Sequence, residues 1–414
     1  MPSTNPTALD VLLTNLAAAV YANDYPRAQE LARTILQQLA TEAAGHDSVE
    51  RQVRELLTEL EAAGSPHELL DLNVLDTERG GIAQEEPGVV YPVWFGTNRK
   101  PAAHGAGFTH ERHASTTRGR VLVHVPHAHR FGETGNAFWK RLLRLDLRDD
   151  RLRVQEVAQR ERDTFFTEIA EAMQAARVDG SAPHALFFLH GFNVTFEEAA
   201  IRAAQIGCDL KVPGATAFFS WPSRGSVTAY PADEASIEAS EQAITDFLID
   251  FTAHCGAEKV HIIAHSMGNR GLLRVLQRIA ANAETRGKVK FGQIFLAAPD
   301  VDRDLFLDLA HLYPAHSERT TMYASDGDLP VHLSSKVHAA PRAGDFAPYT
   351  VASGIDTVAV PDFDIDMLGH GYFAQAAGLL HDIYDLMRHD EPPGKRQRLS
   401  TALHEGASFW KMMM

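Results

Sequence analysis

The sequence predicts an α/β fold, with a mostly parallel sheet covered by helices on both faces. Two observations predict it. From Val89 onward, short apolar runs recur: "VVYPVWFG", "RVLVHVP", "LLRLDL", "ALFFLHGF", "TAFFSW", "KVHIIAHS", "GQIFLAAP", "TTMYASDGD" and "DTVAV". Between the later runs lie helix-length segments at 195–209, 232–254, 268–283 and 372–388. Strands buried on both faces read as continuous apolar stretches, and their alternation with helices is the pattern of parallel crossovers. The first runs have no long helices between them, so that edge of the sheet is expected to be antiparallel.

Residues 1–64 form a separate helical region. Leu9, Leu12, Leu13, Leu16 and Val20 share one helical face, and "NDYP" ends it. Ala28, Leu31, Ala32, Ile35 and Leu39 form a second stripe; Val49, Val53, Leu56, Leu57 and Leu60 form a third. The stretch around "YANDYPRAQELA" is similar to one helix-turn-helix unit of a tetratricopeptide repeat, although such arrays need about three units to stand alone. A helical hairpin packed on the main domain and a module that docks a protein partner are both open readings. Residues 65–87 carry charges, prolines and a glycine pair, and read as a linker. The main domain is expected over 88–391, and 392–414 as a mobile tail.

Composition narrows the function classes. With 45% hydrophobic and 22% charged residues over 414, the chain can bury a large core. Its formal net charge of −15 argues against nucleic acid as the main partner. Cys208 and Cys255 make no disulfide framework or metal-ligand spacing, so a reduced, cytoplasmic compartment is expected. The N-terminus lacks a basic stretch followed by an apolar run, and no run of about 18 apolar residues occurs anywhere, so neither a cleaved signal nor a membrane span is expected.

The chemistry centres on "VHIIAHSMGNRGLL", Val260 to Leu273. A buried strand meets a helix at Ser266, with Ala264 and Gly268 two residues to either side. Small residues there let strand and helix close into a sharp corner that presents a nucleophile, although Ser266 as a plain helix cap is the alternative. A serine hydroxyl needs a base, and the base needs a carboxylate to orient it. Where such an elbow carries the nucleophile, acid and base follow it in that order. "YASDGDLP" after the next strand but one offers Asp326 and Asp328. Asp300 and Asp302 come one strand early and read as caps for the helix after them. His370, between two glycines beyond the last strand, is the base; His311, His316, His332 and His338 all precede that strand.

Attack on a carbonyl also needs amide donors for the oxyanion. The amide of Met267, next to the nucleophile, supplies one. Phe192, in the loop His190-Gly191-Phe192-Asn193, supplies the second, with His190 fixing that loop. In "SWPSRG", Trp221 is the candidate wall of an acyl pocket and Arg224 a contact for a substrate carboxylate. The alternative is a packed loop, with Trp221 in the core and Arg224 paired to Asp233 or Glu234. Arg99 in "GTNRK" either faces the site or makes an ordinary salt bridge.

These residues carry a resemblance. Residues 89–388 resemble a bacterial family of α/β-hydrolases of unknown function, through "VWFGTNRKP", "RVLVHVPHAHRFGE", "FFLHGFNVTFEEAAIRAAQI", "FFSWPSRGSVTAYPADEASIEAS", "IIAHSMGNR", "IFLAAPDVDRDLF", "YASDGD" and "GHGYF", in that order. The resemblance implies an α/β-hydrolase fold, Ser266 as nucleophile, Asp328 as acid and His370 as base, acting on carboxylic esters or similar acyl compounds; a triad of this kind would turn over a small acyl substrate with no cofactor or metal needed. It leaves Asp326 as a competitor, and it does not reach residues 1–80. Acyl transfer would use the same residues. The rival reading is a partner-docking scaffold on a degenerate hydrolase fold.

Overall fold

The computed structural model describes residues 11–12, 15–16, 19, 24–40, 53–54, 57, 61, 88–103, 107–127, 129, 152–177, 182–225, 229–324, 340–345, 350–360, 373–404 and 406–413. In the N-terminal region, helix α1 (Tyr25–Leu39) starts at Asp24, whose carboxylate accepts from the Arg27 amide at 3.3 Å. Leu16, Ala19, Ala28, Ala32, Ile35, Leu39 and Val53 bury one another in a small core of their own. Most of these belong to the three apolar stripes, and burial of one face is what holds short helices together.

The main sheet has eleven strands: β1 (Gly88–Pro101), β2 (Phe108–Pro126), β3 (Arg153–Gln159), β4 (His184–Leu189), β5 (Gly214–Ser220), β6 (Lys259–His265), β7 (Phe291–Ala297), β8 (Ser317–Ala324), β9 (Asp356–Ala359), β10 (Leu399–His404) and β11 (Ala407–Met412). Their spatial order is β10-β11-β9-β8-β7-β6-β4-β5-β1-β2-β3. From β1 to β11 the neighbours run parallel; β1, β2 and β3 form the antiparallel edge. The helices are α2 (Arg162–Ala175), α3 (Phe196–Asp209), α4 (Tyr230–Ala239), α5 (Glu241–His254), α6 (Gly268–Ala281), α7 (Arg303–Leu309), α8 (Leu312–His316) and α9 (Phe373–His389).

Strand alternation divides the core in two. Ala185, Phe187 and Leu189 of β4, with Ile262 and Ala264 of β6, face the side covered by α2 and by α4 to α8. Leu186, Phe188 and Ile263 face the side covered by α3 and α9. No helix among the described residues is long and apolar enough to cross a membrane.

The C-terminal end departs from expectation. Instead of a mobile tail, β10 and β11 form an antiparallel hairpin that adds to the sheet beside β9. Leu399 and Met412 are buried in the α9-side core, and Gly406 takes a left-handed φ of +83° in the turn. Arg396, just before β10, donates at 2.8 Å to the buried Asp382 carboxylate on α9. Apolar side chains and a buried charge pair thus anchor a segment whose sequence looks polar.

Strand order also fixes where a site can form. The crossover through α3 leads from β4 to β5 on one side of β4, and the next leads back to β6 on its other side. The loops leaving β4 and β6 therefore diverge at a topological switch point, where open parallel sheets hold their ligands. Leu189 pairs with Ala264, so these two loops begin side by side.

Candidate active site

Ser266 sits between β6 and α6 with φ +49°, in the left-handed region that a residue with a Cβ enters only at some cost. Hydrogen bonds hold it there. Its amide donates to the Ala297 carbonyl on β7 at 2.9 Å, and its carbonyl accepts from the amides of Asn269 at 3.0 Å and Asp300 at 3.2 Å. The Asn269 side chain, fully buried, donates to the carbonyls of Ala264 and Ser266, both at 3.0 Å. Strand end, elbow and helix start are thereby tied by one side chain.

Gly268 permits the close approach. A Cβ there would lie 2.6 Å from the His190 carbonyl oxygen and 2.7 Å from that of Leu189, both backbone atoms that cannot swing aside. Gly268→Ala is therefore expected to destabilise the protein by about 1–3 kcal/mol through overpacking. Its urea midpoint should fall with the slope unchanged; an unshifted midpoint would mean that α6 has room to move.

The loop after β4 lies against the elbow: a Cβ added at Gly191 would sit 3.0 Å from the Ser266 Cβ. Its peptide groups are pinned in sequence. The Trp221 indole N–H donates to the His190 carbonyl at 2.9 Å. The His190 ring lies 2.7 Å from the Gly191 carbonyl through Nδ1, which makes Nδ1 the protonated nitrogen of the neutral ring. Asn193, at φ +57°, has its amide on the Asp233 carboxylate at 3.2 Å, and the Val194 amide donates to the Ser223 hydroxyl at 3.0 Å. In a trans peptide, N–H and C=O point opposite ways. With the Gly191 carbonyl turned to the buried ring, the Phe192 amide points away from that ring.

His190 is fully enclosed, and burial, reinforced by the Arg99 charge, pushes its pKa down to about 3. The unfolded chain binds a proton near the ordinary value of about 6.5, so between those values it holds more protons than the folded one. Stability should accordingly fall as pH drops through that window, by about 2 kcal/mol at pH 5 relative to pH 7.5 from this group. Burial holds His261 at about 3 as well, and it acts in the same direction. Urea midpoints at the two pH values test the sign. His190→Asn should show a smaller pH dependence, and an unchanged one would refute the assignment.

The remaining sequence candidates are distributed as follows. Met267 directly follows Ser266 and its side chain is buried in the core. Phe192 packs its ring edge-on to Tyr230 at 5.3 Å. Trp221 is wholly buried and stacks on His190 at 5.0 Å, so the structure places it in the core beneath the loop. The Arg224 side chain is exposed; its amide, not its guanidinium, meets Asp233 at 2.9 Å. Glu234 pairs instead with Arg270. Asp302 caps α7 through the amides of Asp304 and Leu305, as expected. Asp300 does not cap: it accepts from the Tyr230 hydroxyl at 2.5 Å and lies 3.3 Å from the Arg270 guanidinium. His311 and His316 bond to backbone carbonyls. Asp326, Asp328, His332, His338 and His370 lie outside the described residues, between the end of β8 and the start of α9. Among the described residues no group of histidine, cysteine and acidic side chains is arranged to hold a metal ion.

Sequence pattern alone does not mark Asn269, Ser220 or Ser223 as parts of the site. Asn269 does leave a signal: an asparagine in the first turn of a helix competes for backbone hydrogen bonds and is out of place unless it has such work to do.

A family model described as alpha/beta hydrolase of unknown function (DUF900) matches residues 167–387, which include both loops and the elbow. The chain belongs to that family. No curated protein matches it. Among solved structures it is similar to the carboxylesterase CesB (YbfK) from Bacillus subtilis, at 9% identity over 54% of this chain and 98% of that one, with a TM-score of 0.29. It is also similar to brefeldin A esterase, a bacterial homologue of human hormone sensitive lipase, at 12% identity over 80% and 85% of the two chains, with a TM-score of 0.35. The residue at the turn between β6 and α6 is a serine, Ser266, and it falls within the matched residues.

Proposed function

We propose that the chain is a serine hydrolase acting on carboxylic esters or related acyl compounds. The observation that carries this reading is the backbone of Ser266. A serine held at φ +49° by a buried asparagine, against a glycine-bearing loop at the switch point, is costly as a mere helix cap. It is well suited to presenting a hydroxyl.

In this mechanism His370 takes the proton from Ser266 Oγ as Oγ bonds to the substrate carbonyl carbon. Asp328 orients the imidazole and stabilises its charged form. The carbonyl oxygen becomes an oxyanion held by the amides of Met267 and Phe192. Collapse breaks the bond to the leaving alcohol, which receives the proton from His370. A water, deprotonated by the same histidine, then attacks the acyl-enzyme, and the acid leaves with Ser266 restored. Trp221 contributes from beneath by holding the His190 carbonyl.

A fluorophosphonate probe tests the reading directly. The wild type should be labelled at Ser266 and should hydrolyse members of a short-to-long acyl ester panel; Ser266→Ala should do neither. A wild type that is neither labelled nor active would remove the proposal. So would labelling that survives the substitution.

A further inference from the structure

Arg99 lies in the β1 segment "GTNRK", yet no step above uses it. Its side chain is almost fully buried, at 1% exposure. Burial lowers its pKa to about 10, which leaves it a cation at neutral pH. A buried charge ordinarily has an ionic partner. Here Nε donates to the Ser220 hydroxyl at 2.8 Å, one terminal nitrogen to the Ser223 carbonyl at 2.9 Å and the other to the Val194 carbonyl at 2.8 Å. The three nitrogens are spent on the last residue of β5 and on the two loops that follow β4 and β5.

The first bond leads onward. Ser220 Oγ lies 3.4 Å from His190 Nε2. Because Nδ1 carries the ring proton, Nε2 is the acceptor, and the hydroxyl that accepts from Arg99 donates to it. The ring in turn holds the Gly191 carbonyl at 2.7 Å. The path runs from Arg99 through Ser220 and His190 to the peptide whose N–H belongs to Phe192. A second hold reaches the far end of the same loop at Val194. Asp233 closes the arrangement from the other side, accepting from Ser223 Oγ and from the amides of Asn193 and Arg224.

We infer that Arg99 is a positioning residue for acyl chemistry at Ser266, fixing through Ser220 and His190 the direction of the Phe192 amide and so the geometry of the oxyanion hole. The inference rests on the reading of Ser266 as nucleophile. Five donors in a rigid fork suit this task; a lysine offers a single point charge that cannot reach three acceptors on a strand end and two loops. The amide is wanted at the oxyanion more than at the ground-state carbonyl. Misdirecting it should therefore depress the chemical step and leave substrate binding nearly intact.

The test compares the full-length wild type with Arg99→Met, Arg99→Lys and Ser220→Ala on the best ester of the panel, each first shown to be folded at the assay temperature. Arg99→Met should lower kcat by about 100-fold with KM within about 3-fold, and should slow fluorophosphonate labelling in parallel. Arg99→Lys should not restore the rate. Free guanidinium added to Arg99→Ala should recover part of it, which a purely structural defect would not allow. Folded Arg99→Met with kcat near that of the wild type overturns the inference, as does a loss confined to KM. If none of the three Arg99 variants folds, Ser220→Ala decides: a drop of about 10-fold in kcat with KM unmoved supports the relay, and an unchanged kcat overturns it. A wild type that is neither labelled nor active would instead sink the nucleophile reading, and this role with it.

Discussion

Ser266→Ala is expected to lower ester turnover by about six orders of magnitude, His370→Ala by a similar amount, and the two together by no more than either alone. Nucleophile and base act as a unit. Without the hydroxyl there is nothing for the imidazole to deprotonate, and without the imidazole the hydroxyl stays a poor nucleophile. Losses that multiplied in the double variant would mean that the two residues serve different steps. The residual rate should not be zero. The loop from His190 to Val194 is held by Trp221, Asp233, Ser223 and Arg99, none of which is altered. The preorganised amides should thus go on stabilising direct attack by water, worth about a thousandfold over solution in comparable sites. Initial rates with matched protein concentrations and a probe-blocked wild type as background measure this.

How much of the fold and site is legible in the sequence differs from residue to residue. The parallel sheet is legible, because strands such as "ALFFL" and "VHIIA" are buried on both faces and show it as unbroken apolar runs. So is the elbow, because Ala264 and Gly268 flank the serine where a strand meets a helix, and an ordinary helix cap has no need of small residues on both sides. The C-terminal hairpin is not. Only its second strand, β11, pairs with β9, and over a short stretch; its anchoring depends on Leu399, Met412 and Arg396 meeting a core assembled from distant segments. Arg99 stands out in the sequence, but site contact and salt bridge both miss its partners. These are two backbone carbonyls and a hydroxyl, more than ninety positions away in sequence. Local pattern carries periodicity and corners; it carries no information about which carbonyl a buried guanidinium will find.

The acid is the point where sequence alone leaves two candidates, and the expected result separates them. Asp328→Asn should reduce kcat by about four orders of magnitude, whereas Asp326→Asn should leave it within about tenfold. Both residues follow β8, which pairs in parallel with β7 and β9, so its carboxyl end lies on the same edge of the sheet as the elbow, with β7 between them. The acid's task is to accept from one imidazole nitrogen, so that the other faces Ser266 unprotonated. An asparagine either donates its N–H₂ to that nitrogen, which fixes the wrong tautomer, or accepts through its neutral carbonyl oxygen, and in neither case can it balance the imidazolium that forms during attack. The loss should therefore appear in kcat with KM little changed. It should also ease as pH rises and hydroxide replaces the base. A carboxylate that only stiffened the loop would show neither signature. The reverse ranking, with Asp326→Asn the severe variant, would move the acid by two positions and leave the rest of the mechanism as it stands. Comparable mild effects from both would direct attention to Asp300. That residue is buried, its amide donates to the Ser266 carbonyl at 3.2 Å, and its carboxylate is already taken by Tyr230 and Arg270. Those ties are why it is the weaker candidate. An acid that must follow a histidine through proton transfer cannot at the same time serve as the fixed partner of a buried guanidinium.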